Sequence, residues 1–476
     1  MVGREEQTKA MTDAIKAKKS SFVAVTGRRR VGKTYLIREV YQQNFCFTVT
    51  GIQNADLQTQ INNFVQKIAE YNKDLLVLGN LNDWQKVFFV FKNYLKSLPK
   101  NKKQVIFIDE LPWIATPKSG FVQLLAHLWN DYLSQEKHFI LVVCGSATSW
   151  ITHNIVNDKG GFHNRISIPI HLKPFTLAET NEFLKSKNLN FTPSGISEIY
   201  MIFGGLPYYL EQMQRGESVA KAIERICFSE TGILKYEYNN LYKALFTNWE
   251  NHEAIVACLA KSHYGLTREA IIEKSKVTAG GPYTRAMNDL ILTGFVEEFQ
   301  PFGKKKRGSV YRLVDEFSVF YHQFMKGNEK KDASVWQIIS NSQKYKIWRG
   351  YAFETLCIKH VNEIKNALGI KNVYTETSSF SKKGTNSTNG FQLDLIIDRK
   401  DATINLCECK FYESNFSITK KYAQEIKQRK TAFAEETTTK KMLINTFIAN
   451  EDLLENEHSL EVVDVFINVK ELMKKV

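Results

Sequence analysis

The sequence predicts an α/β protein of several domains, and three observations carry that expectation. Short runs rich in β-branched and aromatic residues alternate with helical patterns through the first third (SFVAVT, TYLIREVYQQ, FCFTVT, VIFIDE, FVQLLAHLWNDYL, FILVVCGS), which is the rhythm of a parallel sheet wrapped by helices. A glycine-bounded phosphate-binding pattern, GRRRVGKT, falls between the first strand and the next helix of that rhythm. At 476 residues the chain also exceeds what one core organises, and strands of the same apolar kind return near its C-terminal end.

Patterning sets the boundaries. A strand–helix core occupies 1–173. Over 174–248 the strands stop, and LAETNEFLKSKN, SEIYMIFGGLPYYLEQM and SVAKAIERICF read as a helical lid. Over 249–325 a helix (HEAIVACLAKS) precedes one capped by Thr267 (REAIIEKS) and a third starting near Pro282. Two strands joined by a glycine-bounded basic turn follow, the outline of a winged helix. The polar stretch KGNEKKDASVWQ places a linker over 326–345. The last domain, 346–476, opens with the helix YAFETLCIKHVNEIKNAL and passes through a Ser/Thr/Gly/Lys-rich loop. Two strands, FQLDLIID and TINLCECKF, then meet at the turn DRKDAT.

Composition narrows the function. Hydrophobic residues at 43% and charged residues at 24% are ordinary globular values, so global disorder is excluded. An excess of 64 Lys+Arg over 50 Asp+Glu, +14 in all, favours a polyanionic partner. Nucleic acid, DNA first, is the partner expected. The N-terminal MVGREEQTKA lacks the apolar stretch of a signal peptide, and the longest apolar run, Phe139–Cys144, is far short of a bilayer span. A cytoplasmic protein with no membrane partner is expected. Seven cysteines without a C-x-x-C pair read as reduced core residues and not as a metal site, and the ten histidines show no ligand spacing.

The nucleotide site is expected at Gly27, Arg28, Arg29, Arg30, Val31, Gly32, Lys33 and Thr34. The glycines let consecutive N–H groups face phosphate oxygens, and the following helix aims its positive end at the same anion. Lys33 would reach the β and γ phosphates of ATP and the Thr34 hydroxyl would ligate Mg²⁺. The strand VIFIDE ends in two carboxylates at the sheet edge where ligands bind. Asp109 there is the expected outer partner of Mg²⁺, and Glu110 the residue that polarises the attacking water. Ser146, after the strand FILVVC, is placed either to sense the γ-phosphate or to cap a helix. The side chains of Arg28, Arg29 and Arg30 either touch phosphate or point to solvent or neighbouring protein.

The VGREEQ box, GRRRVGKT, FIDELPW, CGSATSW and GGLPYYL, in that order, resemble the archaeal-type ATPases of the STAND group within the AAA-like P-loop NTPases. The resemblance covers about the first half of the chain. It implies an additional strand between the two nucleotide motifs, which FCFTVT supplies, and a lid whose Gly-x-Pro motif brings Pro207 near the nucleotide. It also implies a nucleotide-responsive arginine, here Arg165, although Asn164 stands where the family tends to have glycine. Action of Arg165 across subunits would require a homo-oligomer.

In the winged-helix segment Thr284, Arg285 and Asn288 are the exposed polar candidates for a DNA major groove, with Lys304 to Arg307 of the wing neutralising phosphates. The same segment equally suits a regulatory module with a protein partner. In the last domain Asp394, Glu408 and Lys410 interrupt otherwise apolar strands, and such charges are costly to bury unless paired or metal-bound. Alternation puts Glu408 and Lys410 on one strand face, and a hairpin brings Asp394 beside them. The pattern resembles the restriction-endonuclease-like PD-(D/E)xK nuclease core, with Glu354 in the preceding helix as the extra acidic residue. The resemblance implies that Asp394 and Glu408, with Glu354, hold Mg²⁺ and that Lys410 positions the attacking water. Two functions follow: an ATP-dependent enzyme that cuts nucleic acid, or a signalling ATPase switch whose terminal domain only binds.

Overall fold

Strand β1 (Ser21–Thr26) is buried at every position, as are β3 (Gln104–Asp109) and β4 (Phe139–Cys144). Continuous apolar runs of this kind suit the middle of a parallel sheet covered on both faces. The computed structural model describes residues 2–72, 81–157, 160–246, 248–303, 308–328, 335–382 and 390–475. They separate into two units, Met1–Pro174 and Phe175–Val476.

In the first unit β2 (Phe45–Thr50) and β5 (Ile168–His171) flank those strands in the order β2-β3-β4-β1-β5, all parallel. FCFTVT is therefore β2, at the sheet edge beside β3. Because β4 lies between β1 and β3, the loop after β1 and the C-terminal ends of β3 and β4 come together. An aromatic core anchors the covering helices, with Phe47, Phe64, Phe91 and Phe121 buried around Trp84.

The second unit begins with helices, among them Leu177–Ser186, Pro193–Phe203 and Pro207–Leu210. Helices Trp249–Leu259, Arg268–Ser275 and Gly281–Leu292 follow, then the antiparallel hairpin of β6 (Val296–Phe299) and β7 (Val310–Leu313). Thr267 caps the second of these helices through the Ala270 N–H. Lys304 to Arg307, expected as a basic wing, lie outside the described residues.

The stretch 326–345, expected as a polar linker, is packed where it is described. Val335–Ser340 is helical, and Trp336 is buried among Phe228, Phe320 and Tyr345. A single Trp and its flanking aliphatics outweigh the polar neighbours, because a ring of that size buries more apolar area than several small polar residues expose. The next helix also starts earlier than expected, at Gln343 (Gln343–Lys359), where the Ser342 side chain accepts from the Tyr345 N–H.

That helix packs on a mixed sheet. Strands β8 (Thr375–Lys382), β9 (Phe391–Arg399) and β10 (Thr403–Lys410) are antiparallel neighbours. A short pair, β11 (Phe416–Ser417) and β13 (Leu453–Leu454), lies apart from it. The main sheet is completed by β12 (Met442–Ala449) and β14 (Val465–Asn468), parallel to β10 in the order β14-β12-β10-β9-β8. All seven cysteines are buried and unbridged. No helix among the described residues is long and apolar enough to cross a membrane.

Candidate functional sites

The turn from β1 into helix Lys33–Tyr41 requires glycine at its first position. Gly27 has φ +142°, and a Cβ there would lie 2.4 Å from the Leu172 carbonyl oxygen, a left-handed and crowded geometry only glycine adopts without strain. The Gly27 N–H donates to Thr148 Oγ1 (3.3 Å), which ties the loop to the CGSATSW segment. From the chain start, buried Arg4 donates to the Val31 carbonyl (3.4 Å), so the VGREEQ box clamps the same loop.

Lys33 opens the helix and is buried, its Nζ donating to the Gly27 and Arg28 carbonyls at 2.9 Å each. Burial pulls its ammonium below the usual lysine range, against the opposing pull of Cys144, Glu110 and Asp109. Arg28 is buried and Arg29 and Arg30 half-buried, so of the expected placements solvent is ruled out at Arg28, which follows Gly27 at the end of β1.

At the end of β3 the Asp109 carboxylate is held on both oxygens. Oδ2 accepts from Thr34 Oγ1 (2.9 Å); Oδ1 accepts from the Glu110 N–H (2.9 Å) and from Cys144 Sγ (2.7 Å). A hydroxyl and a carboxylate in contact are the hard oxygen donors that suit Mg²⁺. Glu110 sits at φ +47°, a left-handed backbone that non-glycine residues adopt at a cost of about 1–3 kcal/mol. Its Oε2 accepts from both the N–H (2.9 Å) and the Oγ (3.0 Å) of Ser146. Ser146 is therefore not a helix cap; the cap position of the next helix is Ala147. Ser146→Ala is expected to slow ATP hydrolysis roughly tenfold while leaving ATP affinity in place. A lost hydrogen bond to a carboxylate is worth about 1.5–3 kcal/mol, and the backbone donor survives. Steady-state kcat and KM measure it.

Arg165 is exposed in the turn before β5. Asn164, at φ +55°, takes the left-handed conformation a glycine would supply, a role asparagine tolerates better than most residues. Pro207 is half-buried at the first turn of Pro207–Leu210, in the second unit. The two glycines before it serve close approach: a Cβ on Gly205 would fall 1.9 Å from the Phe175 carbonyl oxygen.

The C-terminal constellation lies on the mixed sheet. Leu395 pairs with Cys407, which sets Asp394 opposite Glu408, and Asp394 Oδ2 accepts from the Cys409 N–H (3.4 Å). Glu408 Oε1 pairs with Lys410 Nζ (2.7 Å), and helix Lys420–Thr437 brings it two further donors, Tyr422 Oη (2.9 Å) and Arg429 Nη1 (3.1 Å). Burial opposes the Glu408 carboxylate, but Lys410 and then Arg429 outweigh it and hold Glu408 below the usual range. Asp394 is pushed up to about 6 by burial and by Glu408. Glu354 rises to about 8, through burial and then Asp394. Repulsion of this kind is what a divalent cation relieves, so the set of donors fits Mg²⁺ by type. Its disposition is less complete: among the described residues no three His, Cys, Asp or Glu side chains stand ready around one ion, and Glu408 is engaged by Lys410 and Arg429. Tyr422 and Arg429 escaped the sequence reading; an Arg seven residues after a Tyr on a basic helix carries no distinguishing pattern.

The raised Glu354 pKa carries a stability consequence. A carboxyl whose folded pKa exceeds its unfolded value stabilises below the unfolded value, here 4.5, and that contribution is lost as pH climbs through about 8. Glu354→Gln is therefore expected to unfold a few °C above wild type at pH 8.5 in chelator, and level with it near pH 4.5, in thermal melts. Thr284, Arg285 and Asn288 are all exposed on Gly281–Leu292.

A parallel sheet with a glycine loop after β1 and an acidic pair after β3 defines a P-loop ATPase domain. Residues 1–213 match the family described as an ATPase domain predominantly from Archaea. An uncharacterised protein of Methanocaldococcus jannaschii is 24% identical over 405 residues, 83% of each chain. Among solved structures the chain is similar to a Walker-type ATPase of Pyrococcus abyssi, at 16% identity and TM-score 0.49 over 68% of this chain and 96% of that one. It is also similar to the ORC2 protein of Aeropyrum pernix in its ADPNP–ADP complexes, at 14% identity and TM-score 0.41 over 72% and 96%.

Proposed function

We propose that Gly27 to Thr34, Asp109, Glu110 and Ser146 bind and hydrolyse ATP, and that the nucleotide cycle governs a nuclease in the C-terminal domain. The observation that carries the first half is the continuous network Thr34–Asp109–Glu110–Ser146 at the carboxyl edge of the sheet. Lys33 exchanges its loop carbonyls for phosphate oxygens, and Glu110 orients the attacking water and draws off its proton. Thr34 and Asp109 would hold Mg²⁺, which supplies charge compensation when bound.

Support for the second half is the juxtaposition of Asp394, Glu408 and Lys410 on paired strands, with the Glu354 carboxyl pushed up by burial and by the charge of Asp394. Asp394, Glu408 and Glu354 would hold Mg²⁺, which supplies Lewis-acid activation of a phosphodiester and water; Lys410 orients that water. The 249–325 module is read as a winged helix that presents nucleic acid through Thr284, Arg285 and Asn288. The net charge of +14 and the exposure of those side chains support DNA as its partner.

The test is cleavage of plasmid and single-stranded DNA in Mg²⁺ by wild type, Lys33→Ala and Asp394→Ala proteins, with and without ATP. Cutting that needs Asp394, and that responds to ATP only when Lys33 is present, supports both halves. The second reading, a switch with a binding-only terminal domain, is favoured by the engagement of Glu408 with Lys410, Arg429 and Tyr422. It takes over if no protein cuts while wild type hydrolyses ATP and retards DNA in chelator.

A further inference from the structure

Strand β4 lies between β1 and β3, so the segment that follows it has the phosphate loop on one side and the acidic pair on the other. The registers place it there: Val25 of β1 pairs with Cys144, and Ile108 of β3 with Val143. Five residues, Cys144 to Thr148, then grip both neighbours. On the acidic side Cys144 Sγ donates to Asp109 Oδ1 (2.7 Å), and the N–H and Oγ of Ser146 donate to Glu110 Oε2. On the other side Thr148 Oγ1 accepts from the Gly27 N–H (3.3 Å). Cys144, Ser146 and Thr148 are all buried, so these bonds are made away from bulk water.

The segment has little slack. A Cβ on Gly145 would lie 2.7 Å from Pro112 Cδ and 3.0 Å from Ile151 Cδ1, and the Thr148 N–H turns back to the Ser146 carbonyl (2.9 Å). Close-packed interiors transmit displacement instead of absorbing it, so a grip on Gly27 and a grip on Glu110 through one short segment fix the two relative to each other. The loop is thereby related to the acidic pair at both ends. At Thr34 the link runs directly to Asp109; at Gly27 it runs through Thr148 and Ser146. Arg4 on the Val31 carbonyl and the Leu172 carbonyl against Gly27 act on the loop's own shape.

We infer that Thr148 is a positioning residue for ATP hydrolysis: by holding Gly27 to the segment that holds Glu110, it sets the acting carboxylate against the phosphate loop. This rests on Gly27 to Thr34 and Glu110 being the ATPase site proposed above. Thr148 takes no part in the chemistry. Its hydroxyl oxygen accepts from one loop amide, and its effect reaches the attacking water through Ser146 and Glu110.

Steady-state ATP hydrolysis and the binding of a fluorescent ATP analogue, both on the full chain, test the inference. Thr148→Val keeps the side chain's shape and removes the acceptor. Its kcat is expected to fall roughly tenfold, short of the roughly 10²-fold that an ångström of misplacement can cost, while nucleotide affinity stays close to wild type because the loop's other holds remain. Thr148→Ser retains the acceptor and is expected to restore the rate. Thr148→Ala removes the acceptor without the branched methyl; it is expected to match Thr148→Val, and it carries the test should the valine protein melt below wild type. Because Ser146 and Thr148 act along one path, Thr148→Val should slow the Ser146→Ala protein by clearly less than it slows wild type. Thr148→Val and Thr148→Ala proteins that melt and hydrolyse like wild type overturn the inference and leave the ATPase site standing. So does an equal loss of affinity and kcat, which a damaged loop would produce, or a double variant slowed by the full product of the two single effects. Hydrolysis at the wild-type rate by Lys33→Ala overturns the ATPase site and the inference together.

Discussion

Glu110→Gln is expected to bind ATP with near wild-type affinity and to hydrolyse it roughly 10²–10⁴ times more slowly, the usual yield of a positioned general base. The substitution keeps size and keeps an oxygen able to accept from Ser146, whose N–H and Oγ now hold the Glu110 carboxylate at 2.9 and 3.0 Å. What it removes is the negative charge and the ability to take a proton. Asp109, with three donors of its own on Thr34, Glu110 and Cys144, is untouched, so the groups proposed to hold nucleotide and Mg²⁺ survive. The split is the diagnostic: unchanged nucleotide binding by a fluorescent analogue, collapsed phosphate release. Equal loss of both would mean that Glu110 serves the loop's structure, consistent with its left-handed backbone, and not the chemistry.

The second large effect is expected at Asp394. Its carboxylate is buried and faces Glu408 across the β9–β10 ladder, so Asp394→Ala removes one of the acids proposed to hold metal and leaves Glu354 and Glu408 with Lys410 and Arg429. Changes outside the direct ligands already cost metal sites about 10–100-fold; loss of a ligand should lower DNA cleavage by at least roughly 10²-fold. ATP hydrolysis should be unchanged, since Asp394 lies in the unit Phe175–Val476 and the residues proposed to hydrolyse ATP, Gly27 to Thr34, Asp109, Glu110 and Ser146, in Met1–Pro174. Gel-based cleavage and phosphate release on the same preparations check both statements.

The parts legible in the sequence were those written in contiguous patterns. Six-residue apolar runs became β1, β3 and β4, buried throughout, and the glycine loop with the acidic pair lay at their carboxyl ends. Asp394, Glu408 and Lys410 stood out because charge inside an apolar strand violates a strong rule. Contacts between distant segments left no such trace. Arg4 on the Val31 carbonyl and Cys144 on Asp109 join residues that only the fold brings together. Arg312 reads as an ordinary polar residue of a two-stranded hairpin, yet it donates to Ser379 of β8 and to the Tyr264 carbonyl. Trp336 sat in a stretch whose polar average hid the burial of one large ring. Asn164 marks the opposite case, since a backbone requirement met by glycine or asparagine is local and can be read from the chain alone.

The measurement that bears most directly on the nucleotide site is ATP binding and hydrolysis by wild type beside Lys33→Ala. Wild type should bind ATP with Mg²⁺ and release phosphate, and Lys33→Ala, folded by thermal melt, should do neither to a measurable extent. Hydrolysis at the wild-type rate by Lys33→Ala would place the ATPase activity somewhere other than the loop from Gly27 to Thr34.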